Sequence, residues 1–262
     1  MKLEENFIKL CPKAWRLPIR YNYNKIRNRL EPELLYLNRI LTQCKRAIDI
    51  GANDGVYSYA LAQMCENVEA FEPQTWCTHD IAFYSEKYSK NINIYNVGLS
   101  NSNGVLKLHI PVSHSAYSRQ ISGLGSITPG LASFREIEGE QTYIEVPVYK
   151  LDDYNFRDVS FIKIDVEGHE SKVIQGGHKT ILREKPIILI EIEQRHLNGY
   201  PIEMVFKQIM ELGYEGSYLY NGNLIDLSNF SYKEHQEPFL NNPSSGDYIR
   251  NFIFRPISRD KN

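Results

Sequence analysis

The segment Asp49-Ile50-Gly51-Ala52-Asn53-Asp54-Gly55 places a glycine-rich turn directly after a short apolar strand, residues 46–50. Two glycines four residues apart allow a sharp turn, and they let a ligand approach the backbone without meeting a Cβ atom. A helical pattern follows over residues 56–64. Strand, glycine turn and helix in this order predict the first unit of a parallel sheet that binds its ligand at the carboxyl ends of the strands.

The same alternation continues along the chain and predicts an α/β fold with a mostly parallel, seven-stranded sheet and helices on both faces. Residues 1–44 form an N-terminal extension, irregular and then helical, and residues 45–262 form one main domain. Residues 104–149 interrupt the main domain as an inserted β-hairpin with a long loop. The predicted strands are 46–50, 68–71, 92–99, 161–164, 186–192, a hairpin around Asn221-Gly222, and 251–254; the later helices are 75–90, 170–183 and 202–212.

Composition narrows the class of protein. The 262 residues are 42% hydrophobic and 24% charged, with a net charge of −2, so no global basic field favours a nucleic-acid partner. The sequence has no apolar run of membrane-spanning length and no signal-peptide core at its start, which predicts a cytoplasmic protein. The four cysteines, Cys11, Cys44, Cys65 and Cys77, have no metal-binding spacing and are expected to be reduced thiols.

Basic residues are crowded in the N-terminal extension around Trp15. A solvated helical face is the plainer interpretation, but peripheral contact with a membrane stays open. The extension could also cover the cofactor or pair with another subunit. The basic residues are Lys13, Arg16, Arg20, Lys25, Arg27 and Arg29.

The glycine loop suits a zwitterionic ligand better than a diphosphate. Asn53 stands where the second glycine of a dinucleotide-binding motif would be, and Asp49 and Asp54 would repel phosphate. Glu72 ends the next strand, where an acid can accept hydrogen bonds from both ribose hydroxyls. Together these features favour S-adenosylmethionine over a nicotinamide cofactor.

The segment Asp165-Val166-Glu167-Gly168-His169-Glu170 concentrates acids and a histidine at a predicted strand end. Histidine ordinarily has a pKa that lets it accept a proton near neutral pH, which makes His169 a candidate base. A histidine in a loop, however, often has no role in catalysis. Glu191 and Glu193 alternate on one strand and share a face. With Asp165 they could hold a divalent cation, but solvated strand-end acids are the preferred interpretation, and the metal stays unknown.

Several of these segments resemble the FkbM family of methyltransferases, over about residues 45–255. The matching stretches are residues 48–55, 70–73, 146–148 with 151–153, 162–170, 251–254, and the loop Ser122-Gly123-Leu124-Gly125-Ser126. The resemblance implies a Rossmann-like class I methyltransferase fold and methyl transfer to a hydroxyl of a sugar, a glycan such as a surface polysaccharide or glycolipid, or a similar metabolite.

S-adenosylmethionine would then be the cofactor and S-adenosylhomocysteine the product. The candidate catalytic residues are Asp165, His169 and Glu193. The candidate cofactor residues are Asp49, Gly51, Ala52, Asn53, Gly55, Tyr57, Ser58, Glu72, Pro73, Asn96, Val97 and Asp165. A nicotinamide-dependent oxidoreductase, a non-catalytic glycan-binding module and an N-methyltransferase stay open as alternatives, and so does an oligomer.

Overall fold

The computed structural model describes residues 8–88, 91–111, 141–242 and 245–257. Helices α1 (Lys13–Ile26) and α2 (Pro32–Ile40) precede the sheet. The basic residues of α1 were interpreted as a helical face, but the bounds of this helix were not predicted, because Pro18 lies inside it and proline is disfavoured in a helix interior.

The remaining elements follow in chain order. They are β1 (Cys44–Ile50), α3 (Val56–Leu61), β2 (Cys65–Phe71), α4 (His79–Tyr88), β3 (Ile92–Tyr95), β4 (Gly98–Leu99), β5 (Gly104–Pro111), β6 (Gln141–Tyr149), β7 (Val159–Ile164), α5 (Glu170–Gly176), α6 (His178–Glu184), β8 (Ile187–Glu191), α7 (Ile202–Met210), β9 (Tyr214–Tyr220), β10 (Asn223–Asp226), α8 (Tyr232–His235) and β11 (Asn251–Pro256).

The main sheet has the strand order β10-β9-β11-β8-β7-β1-β2-β3. Neighbours from β8 to β3 pair in parallel, whereas β11 is antiparallel to both β8 and β9. The predicted Rossmann-like, mostly parallel fold is therefore confirmed. The predicted count of seven strands is wrong, because the β9–β10 hairpin adds an edge strand and gives eight.

Alternate side chains of β1 enter two different hydrophobic cores, as the pleat of a strand requires. Ile48 and Ile50 pack with α5, α6 and α7, whereas Ala47 packs in a second core with α3 and α4. Leu17 of α1 and Leu37 of α2 are fully buried in that second core. Helices therefore cover both faces of the sheet, and the N-terminal extension packs on one of them.

A separate three-stranded sheet has the order β4-β6-β5. Its antiparallel pair β5–β6 confirms the strands of the predicted hairpin insertion. The strand predicted over residues 92–99 is wrong in extent: it is divided into β3 in the main sheet and β4 in the small one. The loop Ser122–Ser126 lies outside the described residues.

A disulfide joins Cys44 and Cys65. The expectation of four reduced thiols is therefore wrong for this pair, while Cys11 and Cys77 carry thiols. The physical reason is register: β1 and β2 run in parallel with Cys44 opposite Cys65, which places their Cα atoms 4.5 Å apart. Such a distance lies within the range that a disulfide spans.

The helix predicted over residues 170–183 is divided into α5 and α6 at Gly176 and Gly177. A Cβ on Gly176 would lie 1.9 Å from the carbonyl oxygen of Ser100, so glycine is needed for the close approach. The carboxylate of Asp152 accepts hydrogen bonds from the backbone N–H groups of Lys179 and Thr180 at 3.0 and 2.8 Å. This acid therefore caps the start of α6.

Candidate active site

Strands β2 and β3 are added on one side of β1, and β7 and β8 are added on the other side, so the strand order reverses between β1 and β7. In parallel sheets, ligands bind at the carboxyl ends of the strands at such a point, which places the candidate site there. Gly51 lies at this point with φ of +78°, and a Cβ on it would lie 1.8 Å from the carbonyl oxygen of Asp165. The backbone N–H groups of Gly51 and Ala52 donate to the carbonyl oxygen of Phe71 at 2.9 and 3.0 Å. The loop after β1 is thus fixed against both neighbouring strands, and Gly51 permits the contact with β7.

A first cavity opens at this edge. Its lining combines apolar side chains with carboxylates and amides, as small-molecule sites commonly do. Its lining is Ile50, Gly51, Asn53, Phe71, Glu72, Pro73, Gln74, Val97, Gly98, Leu99, Leu108, Asp165, Val166, Glu167 and His169.

Glu72 is the fixed acid of the first cavity. Its Oε2 accepts the backbone N–H of Asn53 at 3.0 Å, and its Oε1 accepts that of Gln74 at 2.9 Å. Burial raises the pKa of Glu72 to about 7, although these two hydrogen bonds oppose the rise. Nearby, Asn53 Oδ1 and Gln74 Oε1 are buried polar atoms without a hydrogen-bond partner among the described residues. Buried acceptors of this kind mark a place where a ligand can donate hydrogen bonds.

Of the predicted cofactor residues, the structure brings one group together around the first cavity. These are Gly51, Asn53, Glu72, Pro73, Val97 and Asp165. Gln74 and Leu108 line it as well and were not predicted. The position of Gln74, directly after Glu72-Pro73, was a signal that could have found it. Leu108 belongs to the insertion, and no local pattern connects it with the site.

Other predicted cofactor residues support the cavity from outside. Ser58 is fully buried and its Oγ donates to Asp49 Oδ2 at 2.6 Å beneath the loop. Gly55 has φ of +83° and precedes α3. The side-chain amide of Asn96 donates to the carbonyl oxygen of Glu72 at 3.0 Å, so its contact is structural.

A second cavity lies beside the glycine loop. Two predicted cofactor residues, Ala52 and Tyr57, line it. It shares Gly51, Asn53 and Asp165 with the first cavity. The complete lining is Asn24, Arg29, Leu30, Glu31, Leu34, Gly51, Ala52, Asn53, Asp54, Val56, Tyr57, Lys163 and Asp165.

Asp165 is the carboxylate common to both cavities. The ammonium of Lys163 donates to its Oδ2 at 2.9 Å and lies 4.6 Å from the ring centre of Tyr57. Burial lowers the pKa of Lys163, but the carboxylates of Asp165 and Asp49 outweigh burial and raise it above its usual range. Lys163 therefore remains charged and orients Asp165.

His169 lines the first cavity, and its Nε2 lies 3.0 Å from Ser100 Oγ. Burial, with a smaller effect of Lys172, lowers the pKa of His169 to about 4. The imidazole is therefore neutral at pH 7. Which ring nitrogen accepts a hydrogen bond depends on the tautomer.

Glu193, the third candidate catalytic residue, lines neither of these two cavities. Its carboxylate is bound by Arg195, with Nε at 2.8 Å, and by the Tyr248 hydroxyl. Burial favours a higher pKa, but His196, Tyr248 and Arg195 together lower the pKa of Glu193 below its ordinary value. The structure does not bring this acid to the cavity edge with Asp165 and His169.

The three acids considered for a metal are each paired with a different cation. Asp165 pairs with Lys163, Glu193 with Arg195, and Glu191 with Arg250 at 3.5 Å. Among the described residues, no group of three or more His, Cys, Asp or Glu side chains is arranged to hold a metal ion.

The reversal point, the glycine loop and the acid after the second strand together define the fold and site of an S-adenosylmethionine-dependent methyltransferase. The family model of the FkbM methyltransferase domain matches residues 49–220. The chain therefore belongs to the FkbM methyltransferase family. No curated protein matches the sequence.

Comparison with solved structures finds similar chains at low sequence identity. Methyltransferase FkbM from Methylobacillus flagellatus KT is 13% identical with a TM-score of 0.52, covering 95% of this chain and 57% of that one. This chain thus spans little more than half of that protein's length. A TehB-like methyltransferase from Corynebacterium glutamicum is 8% identical with a TM-score of 0.45, covering 93% and 97%. Streptococcus mutans SMU.1697c, in complex with SAH, is 10% identical with a TM-score of 0.44, covering 86% and 98%.

Among the described residues, no helix has the length and apolar character needed to cross a membrane.

Proposed function

We propose that this chain transfers the methyl group of S-adenosylmethionine to a hydroxyl of a sugar or glycan. The observation that supports this most is the first cavity, whose lining combines a carboxylate held by two backbone N–H groups with apolar side chains. Apolar side chains suit the adenine ring, and an acid at the end of the second strand suits the ribose hydroxyls.

The residues present fit this cofactor. Gly51 permits the close contact of the loop with Asp165, and the unpartnered oxygens of Asn53 and Gln74 offer acceptors for a polar ligand. Glu72 would hold the ribose, and Val97 and Leu99 would pack against the adenine. When bound, the cofactor supplies an electrophilic methyl group on a sulfonium.

The nicotinamide alternative is disfavoured by the charge of the cavity. Glu72, Asp165 and Glu167 line it, and its described lining includes no Lys or Arg. These acids would repel the negative charges of a diphosphate, and no cation of the described lining would offset the repulsion. They would attract a nucleoside that carries a positive sulfonium.

Asp165 is the group that we assign to the acceptor hydroxyl. Lys163 fixes one carboxylate oxygen, so the other can accept the hydrogen bond of the hydroxyl and receive its proton as the oxygen attacks. His169, neutral at pH 7, would orient the ligand from the same cavity. Alignment of the two reactants is the larger part of the catalysis expected from the protein.

The acceptor class comes from the family resemblance of the segments around residues 49–55 and 162–170. An untargeted methyl-transfer screen with labelled S-adenosylmethionine over sugar nucleotides, oligosaccharides and glycolipids tests it. We expect an alkali-stable methyl ether on a sugar hydroxyl, and we expect Asp165→Asn to reduce its formation. Label on nitrogen, or an active Asp165→Asn variant, would contradict the proposal.

A further inference from the structure

The second cavity is built in part by the N-terminal segment, which lies before the family match at residues 49–220. Asn24, Arg29 and Glu31 come from the end of α1 and from the connection to α2, and they face the glycine loop across the cavity. The extension is therefore part of a ligand-sized space and not only a cover for the sheet.

This space contains charges of both signs. Arg29 and Lys163 supply cations, and Glu31, Asp54 and Asp165 supply carboxylates. The three carboxylates would repel a phosphate. An apolar ligand would remove water from all five charged groups without replacing their hydrogen bonds, which is costly. A zwitterion, with a carboxylate and an ammonium on one carbon atom, matches the mixture.

Gly51, Asn53 and Asp165 line both cavities, so the two lie next to each other on the glycine loop. A ligand that occupies both would have its two ends in different chemical surroundings. The first cavity suits a nucleoside, and the second suits an amino acid. S-adenosylmethionine consists of these two parts, joined by the sulfonium.

We infer that the N-terminal segment completes the cofactor site, with Arg29 binding the carboxylate of the cofactor's amino-acid portion while Glu31 faces its ammonium. The inference rests on the proposed function, because it takes S-adenosylmethionine as the cofactor. Asn24 contributes a neutral polar group to the same wall.

Arg29 is the cation that the N-terminal segment contributes to the lining of this cavity. Lys163, the other cation of the lining, is buried and donates to Asp165 at 2.9 Å. Glu31 has a fixed orientation, because it accepts the Tyr57 hydroxyl at 2.6 Å and a guanidinium N–H of Arg250 at 3.2 Å. A guanidinium can bind a carboxylate through two parallel hydrogen bonds.

Arg27 provides a matched control. The guanidinium groups of Arg27 and Arg29 lie 5.7 and 5.8 Å from the ring centre of Tyr23, and both residues are exposed. Only Arg29 lines the second cavity. Substitution of either residue removes one positive charge from the same surface, so the comparison separates cavity binding from a general change of charge.

The experiment compares two ligands by calorimetry. S-adenosylhomocysteine has the amino-acid portion, and 5′-methylthioadenosine has the same nucleoside without it. We expect Arg29→Ala to weaken binding of S-adenosylhomocysteine by about tenfold or more and to leave 5′-methylthioadenosine unchanged. Arg27→Ala should change neither affinity, and circular dichroism should show both variants folded.

Two results would overturn the inference: wild-type affinity of Arg29→Ala for S-adenosylhomocysteine, or an equal loss for both ligands. A wild-type protein that binds neither ligand would instead overturn the proposed function, and the inference with it. A wild-type protein that binds both ligands equally well would leave the proposed cofactor standing and exclude a contribution from the second cavity.

Discussion

The backbone N–H of Asn53 donates a hydrogen bond to Glu72 Oε2 at 3.0 Å. This contact connects the glycine loop after β1 with the acid that follows β2, although the two residues are 19 positions apart. Because Gln74 holds the other carboxylate oxygen at 2.9 Å, the orientation of Glu72 is set by the backbone. A preorganised carboxylate loses little conformational entropy when a ligand binds.

Gly51→Ala should disrupt the loop. The new Cβ would lie 1.8 Å from the carbonyl oxygen of Asp165, and φ of +78° is unfavourable for alanine. We expect a loss of more than about 2 kcal/mol in the free energy of unfolding, measured by urea denaturation. Gly222→Ala is the control: it has φ of +77° and no heavy atom within 4 Å, so it should lose only about 1 kcal/mol. Equal losses would show that the contact with Asp165 is unimportant.

The buried acid Glu33 predicts a stability that falls with pH. Burial raises its pKa from 4.5 to about 7, so the folded state binds its proton more tightly than the unfolded state does. The free energy of unfolding should therefore decrease as pH rises from about 4.5 to about 7 and then level off. Other buried acids, such as Glu72 and Glu170, contribute in the same direction.

Glu33→Gln isolates the contribution of this one acid. Glutamine can still accept the hydrogen bond from Asn251 Nδ2, which Glu33 accepts at 3.3 Å. The variant should be more stable than the wild type at pH 8, by up to about 3 kcal/mol, with the difference shrinking at pH 4.5. Urea denaturation at both pH values measures this. A difference that does not depend on pH would rule out the shifted pKa.

His169 should stay neutral through the physiological range. Burial, together with Lys172, lowers its pKa to about 4. In NMR spectra its imidazole resonance, assigned by its loss in His169→Gln, should keep the chemical shift of the neutral form from pH 5.5 to 8. A titration midpoint between 6 and 7 would contradict the burial described for this side chain.

The cross-strand disulfide is directly measurable. Denatured protein without reductant should expose two reactive thiols, those of Cys11 and Cys77, and reductant should raise the count to four. Cys44→Ser should expose three thiols without reductant, because Cys65 loses its partner. Loss of a disulfide typically costs about 2–4 kcal/mol of stability. Four thiols in the unreduced wild type would show that the pair is not bonded.

Local sequence patterns predicted the elements whose signal is local. The turn at Asn221 and Gly222 has positive φ at both residues, and it joins β9 and β10 as the dipeptide indicated. The bounds of helix α1 and the division between α5 and α6 were not predicted, because distant contacts decide them. Leu17 of α1 is fully buried, although the helix-disfavouring Pro18 follows it. Position 176 requires glycine because a Cβ there would collide with the carbonyl oxygen of Ser100, which is distant in the sequence.

The candidate site was predictable where chemistry follows strand ends. Glu72 and Asp165 follow β2 and β7, and parallel pairing brings the ends of these strands to one edge. Leu108, Arg29 and the pairing of Cys44 with Cys65 depend on how separate parts of the chain pack, which one sequence does not show. Glu193 was predicted to lie near Asp165 because it alternates with Glu191 along one predicted strand. In the structure β8 ends at Glu191, and Glu193 pairs with Arg195.

Calorimetric titration with S-adenosylhomocysteine and, separately, with NAD tests the central assignment of the first cavity most directly. The wild type should bind S-adenosylhomocysteine and not NAD. Glu72→Ala should weaken that binding by about 10–100-fold, because a charged hydrogen-bond acceptor is lost. Glu66→Ala, which changes an exposed acid of the same strand, should leave the affinity unchanged. Binding of NAD, or unchanged affinity in Glu72→Ala, would contradict the assignment.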